Sequence, residues 1–143
     1  MDWKDLVYAS HYQTAVAIKE ELDKGHLEES EEGLEELIEA LGRSEERALR
    51  SQLTRLMMHI IKWAIQPQHR SRSWLATIVN ARIEIMALLE DEPGLQPKIQ
   101  KLWQKCFQAA RQLAQTETGI KPTISELSWE EVFEEEFPLE EDR

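Results

Sequence analysis

A proline between two apolar helical stripes constrains this chain more than any other feature. Before it, Leu49, Leu53, Leu56, Met57, Ile60 and Ala64 recur every three or four residues, the period of one helix face. After it, Leu75, Ile78, Val79, Met86 and Leu89 form a second stripe. Pro67 lacks the N–H that would continue the first helix, and it drives Gln66 out of helical geometry. The loop Gln66 to Ser73 must therefore join two helices, with Ser71 or Ser73 as N-cap of the second.

The same reading extends to both ends. Tyr8, Tyr12, Ala15, Val16 and Leu22 fall near one face of a first helix, and Gly25 stops it. Leu34, Leu37, Ile38 and Leu41 form the stripe of a second, which Gly42 ends. Ser44 caps the third, with Glu45 and Glu46 in its first turn, where the helix dipole favours acids. Pro93-Gly94 closes the fourth, and Pro97 opens a fifth that carries Ile99, Leu102, Trp103, Cys106, Ala110 and Leu113. Ser128 and Glu131 match a capping box, so Trp129, Val132, Phe133 and Phe137 can dock a short tail helix.

The expected helices are 3–23, 31–41, 45–65, 73–90 and 97–117, plus that tail helix. No stretch alternates with the period of a strand, and no internal repeat is present. The fold class is all-α: one domain, residues 1–143, a bundle of five main helices and a short C-terminal one. A chain of 143 residues buries roughly two-thirds of its unfolded surface around one core. Leu37, Leu41, Leu53, Met57, Ile60, Ile78, Leu102, Cys106 and Leu113 are its expected members.

Charge narrows the function classes. The net charge is −11, yet Leu41 to Ile85 holds eight basic residues against three acidic ones. The rest of the chain therefore carries −16. So negative a protein repels nucleic acid at long range, and a nucleic-acid partner is not expected. The most apolar run, Leu56 to Ile65, is about half a membrane span and contains His59 and Lys62, so no membrane segment is expected. No signal peptide is recognisable. The single cysteine, Cys106, has no internal disulfide partner, so a reducing cytoplasm is expected.

The basic loop is the candidate site. Arg70, Ser71, Arg72 and Ser73 alternate guanidinium forks and hydroxyls at a helix start, where free N–H groups favour phosphate or carboxylate. His59 and Lys62 lie on one face of the preceding helix and are its neighbours in this reading. The structural alternative is a capped loop whose arginines pair with glutamates such as Glu36 and Glu39. The expectation is that Arg70 and Arg72 split their roles, one pairing with Glu36 or Glu39 and the other staying open to an anion. No catalytic residue is assigned, because His59 has no recognisable nucleophile or acid beside it. No metal site is assigned either, since no ligand motif spaces the four histidines or the one cysteine. No cofactor is implied.

Several blocks resemble one protein family. They are Leu34 to Leu49, Lys62-Trp63, Gln66-Pro67, Arg70-Ser71-Arg72-Ser73-Trp74 with Ile78, and Leu88-Leu89-Glu90-Asp91 with Pro93, Leu95 and Pro97. Thr118-Gly119 and the Trp-Glu-Glu-Val-Phe tail also match. Together they resemble the bacterial domain-of-unknown-function family numbered twenty-nine, over nearly the whole chain. The resemblance implies an all-helical domain with no established activity. It also implies acidic positions at Glu32, Glu36 and Glu39 and basic ones at Arg70 and Arg72. The family's usual Asp-Leu-Glu-Asn-Leu is replaced here by Ser30-Glu31-Glu32-Gly33-Leu34.

Two functions fit. The first is a small cytoplasmic interaction module whose basic loop contacts an acidic protein partner or a small anion. The second is an enzyme acting on a phosphate-bearing or nucleotide substrate, with His59, Lys62, Arg70 and Arg72 near its site. Oligomeric state is not legible in the sequence.

Overall fold

The structure, a computed structural model, describes residues 1–139. Its helices are α1 (Trp3–Ala9), α2 (His11–Asp23), α3 (Leu27–Ile65), α4 (Arg72–Asp91), α5 (Gln96–Thr118) and α6 (Trp129–Phe133). No strand occurs among the described residues. The expected all-α class holds, with five main helices and a short C-terminal one. The chain divides into two compact units, one of residues Met1–Arg47 and one beginning at Ala48.

Two helix breaks differ from expectation, and α3 begins at Leu27, four residues before the expected start at 31. The first helix is broken at Ser10, whose backbone is extended at φ −163° and ψ 120°. Its hydroxyl accepts from the Gln13 N–H, and its carbonyl accepts the Thr14 hydroxyl at 2.7 Å. Serine satisfies the start of α2 better as a cap than as an interior residue. The break resets the phase: Trp3, Val7, Thr14 and Ile18 are buried, while Tyr8, Tyr12 and Leu22 are exposed.

The second difference is larger. Gly42 and Ser44 do not separate two helices, because α3 runs unbroken for 39 residues. Glycine inside a helix costs only about 1 kcal/mol relative to alanine, less than two new helix ends would. Positive φ is confined to Gly25 (80°) and Gly119 (72°) among the described residues, and both stand just past helix ends.

In the first unit, α3 buries Ser30, Gly33, Leu37 and Ala40, a row of mostly small residues. The reason is Trp3. A Cβ at position 33 would lie 2.9 Å from two Trp3 ring carbons and 2.8 Å from Ile18 Cγ1. Only glycine admits the indole, whose Nε1 donates to Glu29 at 2.8 Å. The larger neighbours Leu34, Ile38 and Leu41 therefore stay exposed, against the expectation that Leu41 is core.

In the second unit, Leu49, Leu53, Leu56, Met57, Ile60 and Ile61 of α3 meet Ile78, Ala81, Ile85 and Leu89 of α4 in one core. Ile99, Leu102, Cys106, Phe107, Ala110 and Ala114 of α5 complete it. Ala114 takes the place expected of Leu113, which is exposed at the edge of that stripe. The tail docks as expected. Ser128 and Glu131 form the capping box, and Trp129 stacks on Trp103 at 5.7 Å.

Gly33→Ala tests the close approach. Better helix propensity gains about 1 kcal/mol, whereas overpacking a tight site costs about 1–3 kcal/mol. We expect a net loss of stability, read by urea denaturation. A gain would mean that the indole moves aside freely.

Candidate functional site

The loop after Pro67 begins as a single 3-10 turn, Pro67–His69. Ser71 is extended and is the N-cap of α4, its hydroxyl accepting the Trp74 N–H at 3.2 Å. Ser73, one residue inside α4, is exposed and uses its carbonyl to accept the Thr77 hydroxyl at 3.0 Å.

The loop's arginine turns back on its own chain. Arg70 Nε donates to the Trp63 carbonyl at 2.9 Å, and its guanidinium lies 5.2 Å from the Trp63 ring centre. Lys62 is equally committed. Its Nζ reaches Glu117 Oε2 of α5 at 2.9 Å and lies 4.7 Å from the Trp74 ring centre, with the side chain largely buried. A desolvated ammonium over an indole gains about 2 kcal/mol. Arg72 is exposed at the first position of α4.

His59 is half-buried, and its Nδ1–H donates to the Arg55 carbonyl at 3.0 Å, leaving Nε2 as the acceptor. Burial pushes its pKa below the ordinary 6.5, and the charges of Lys62 and Arg55 push the same way. The imidazole lies near the Lys62–Glu117 ion pair, whose ammonium lowers its pKa and whose carboxylate raises it. Cys106 is buried, and burial raises its thiol pKa, which keeps it unreactive.

The candidates thus separate into two clusters. His59 and Lys62 gather with Trp74 and Glu117. Arg70 lines a cleft of about 310 Å³ with Trp63, Phe137, Glu131, Glu135 and Glu136. Three glutamates line that cleft beside one arginine, which disfavours an anion there. Glu36 and Glu39 belong to the first unit. They line a cleft of about 530 Å³ with Lys4, His11, Arg43 and Arg47, and Glu39 pairs with Arg43 at 3.8 Å.

A residue that the sequence reading did not single out has the widest reach. Arg82 Nε donates to the Val132 carbonyl at 2.8 Å, and its Nη2 donates to the Glu135 carbonyl at 2.8 Å and that of Glu131 at 3.4 Å. It fastens the carbonyl end of α6 to α4. The available signal was its register: Arg82 stands between Ile78 and Ile85 on the buried stripe, where a cation needs acceptors. Among the described residues, no group of His, Cys, Asp and Glu can hold a metal ion. No helix there is long and apolar enough to cross a membrane.

These features define an all-α domain in which two arginines of the basic block, Arg70 and Arg82, close a helix end and tail carbonyls. The model of the family described as "Domain of unknown function DUF29" matches residues 8–138, and the chain belongs to that family. Comparisons with curated proteins and with solved structures gave no match.

Two predictions follow from this geometry. Replacing Arg82 with Gln strands several carbonyls and is expected to cost about 1.5–3 kcal/mol, the range for hydrogen bonds to charged donors. Limited proteolysis after residue 127 should accelerate in parallel. For His59, the folded pKa lies below the unfolded one, so the unfolded state binds more protons as pH drops through about 6.5. Its contribution is complete above that value and is lost toward pH 5. Melts at pH 7.5 and 5 should converge partly in His59→Gln; an unchanged difference would refute the assignment.

Proposed function

We propose that this protein is an interaction module, in which the outer face of α4 and the basic loop at its start engage an acidic protein partner. The observation that carries the reading is a row of exposed apolar side chains on α4. Val79 is 46% exposed, Ile83 60% and Met86 49%, at spacings of four and three residues. Single exposed apolar residues are ordinary, whereas a contiguous row on a rigid helix suits a contact surface. Arg72 at the head of the row supplies charge complementary to an acidic partner. A cytoplasmic setting accords with the buried, unpaired thiol of Cys106.

The enzyme reading has less support. Lys62 and Arg70 are tied to their own chain, and Arg70 shares its cleft with three glutamates. Isothermal titration with a poly-glutamate peptide at low salt tests the proposal. Binding is expected, weakened by added salt and reduced in Arg72→Gln and in Ile83→Glu. Melts with phosphate, sulfate and nucleotides at millimolar concentration should not move, since ligand stabilisation scales as RT ln(1 + [L]/Kd). No peptide binding together with a nucleotide-induced rise in Tm would favour the enzyme instead.

A further inference from the structure

The exposed row on α4 is symmetric under reversal. Its members are Arg72, Ala76, Val79, Ile83, Met86 and Glu90, all exposed. The intervals of four, three, four, three and four residues are those of a two-stranded helical seam. If a second α4 runs antiparallel with its midpoint level with Ala81, the row pairs with itself. Val79 meets Ile83, Ala76 meets Met86, and Arg72 meets Glu90, each contact occurring twice. That reciprocity is the signature of a two-fold interface. Size and charge both fit: the longest apolar side chain in the row lies over the smallest, and the guanidinium lies opposite a carboxylate. A parallel pairing would instead set arginine on arginine and glutamate on glutamate.

We propose that a second copy of this chain occupies the α4 face, forming an antiparallel helix pair about a two-fold axis. This rests on the interaction reading above and names its acidic partner, since Glu90 and Asp91 close the far end of the row. Charge selects this helix. The α3 residues Leu34, Ile38 and Leu41 are also exposed at spacings of four and three. Between Leu27 and Arg47, however, α3 carries nine glutamates against two arginines, so a second copy there meets mostly like charge. Between Arg72 and Asp91, α4 carries two arginines and three acids. A single helix pair lies at the small end of stable interfaces, below about 1,200 Å² in total, so the dimer dissociates on dilution.

Sedimentation equilibrium of the full chain tests this at about 0.15 M salt, where charges farther apart than about 8 Å are screened. A reversible monomer–dimer equilibrium is expected. Ile83→Glu should be monomeric and melt as the diluted parent does, since the side chain is exposed, while Ile38→Glu should dimerise like the parent. Arg72→Glu and Glu90→Arg should each weaken the dimer, and the double variant should restore it.

Cysteines read direction. Ala76→Cys chains mixed with Met86→Cys chains should form a mixed disulfide on oxidation. Neither alone should cross-link, because like positions lie about 15 Å apart along an antiparallel pair at a rise of 1.5 Å per residue. A chain that stays monomeric, a dimer indifferent to Ile83→Glu, or cross-linking of like positions would overturn the proposal. If the monomeric chain still binds poly-glutamate through Ile83 and Arg72, self-association fails and the interaction reading stands. If it binds neither, both fail.

Discussion

Carbonyl oxygens that no helix satisfies decide where this protein's long polar side chains go. The segment after α5 has little regular structure until α6, so its backbone must find partners elsewhere. Trp103 Nε1 donates to the Leu127 carbonyl and Arg111 to that of Pro122, each at 2.8 Å. Arg82 closes α6, and Arg70 takes the Trp63 carbonyl. Trp63 in turn meets Phe137 edge to face at 5.8 Å, which brings the tail back against α3. Part of the excess of basic residues in the middle of an acidic chain thus acquires a structural reason. Two of its cations, Arg70 and Arg82, serve as backbone donors, a role to which arginine's planar fork is well suited.

Much of this architecture is legible in the sequence where a local rule has no competitor. Pro67 ends α3 because no tertiary contact can give it an N–H. Ser128 caps as read, and of the two candidates Ser71 and Ser73 it is Ser71 that caps α4, since a hydroxyl at a helix start satisfies a donor that has no intrahelical partner. The core positions Leu53, Met57, Ile60, Ile78, Leu102 and Cys106 follow from periodicity alone. Local rules failed where they competed with each other. Gly42 carries a stop signal, yet continuity of α3 on both sides outweighs it. Ser10 lies inside a plausible apolar pattern, yet capping outweighs helix continuation there.

The candidate site was less legible than the fold for a related reason. Arg70, Ser71 and Lys62 have the residue types an anion receptor needs, and their placement beside a helix start was readable. Their partners were not. Two are backbone or ring atoms of Trp63 and Trp74, whose availability depends on the loop's path. Another is Glu117, 55 residues away in sequence. Charge patterning records only the number of side chains, whereas function depends on which of them are already engaged.

The contact of Trp3 with Gly33 carries a consequence for how such a chain can vary. An indole 4% exposed and a missing side chain on the facing helix fill one space between them. Positions 3 and 33 therefore share a fixed volume and are not independent. A chain that places a larger residue at 33 must shrink the residue at 3, and one that keeps the indole is held to glycine. Drift at either position alone is closed off, so the pair is expected to change together or not at all.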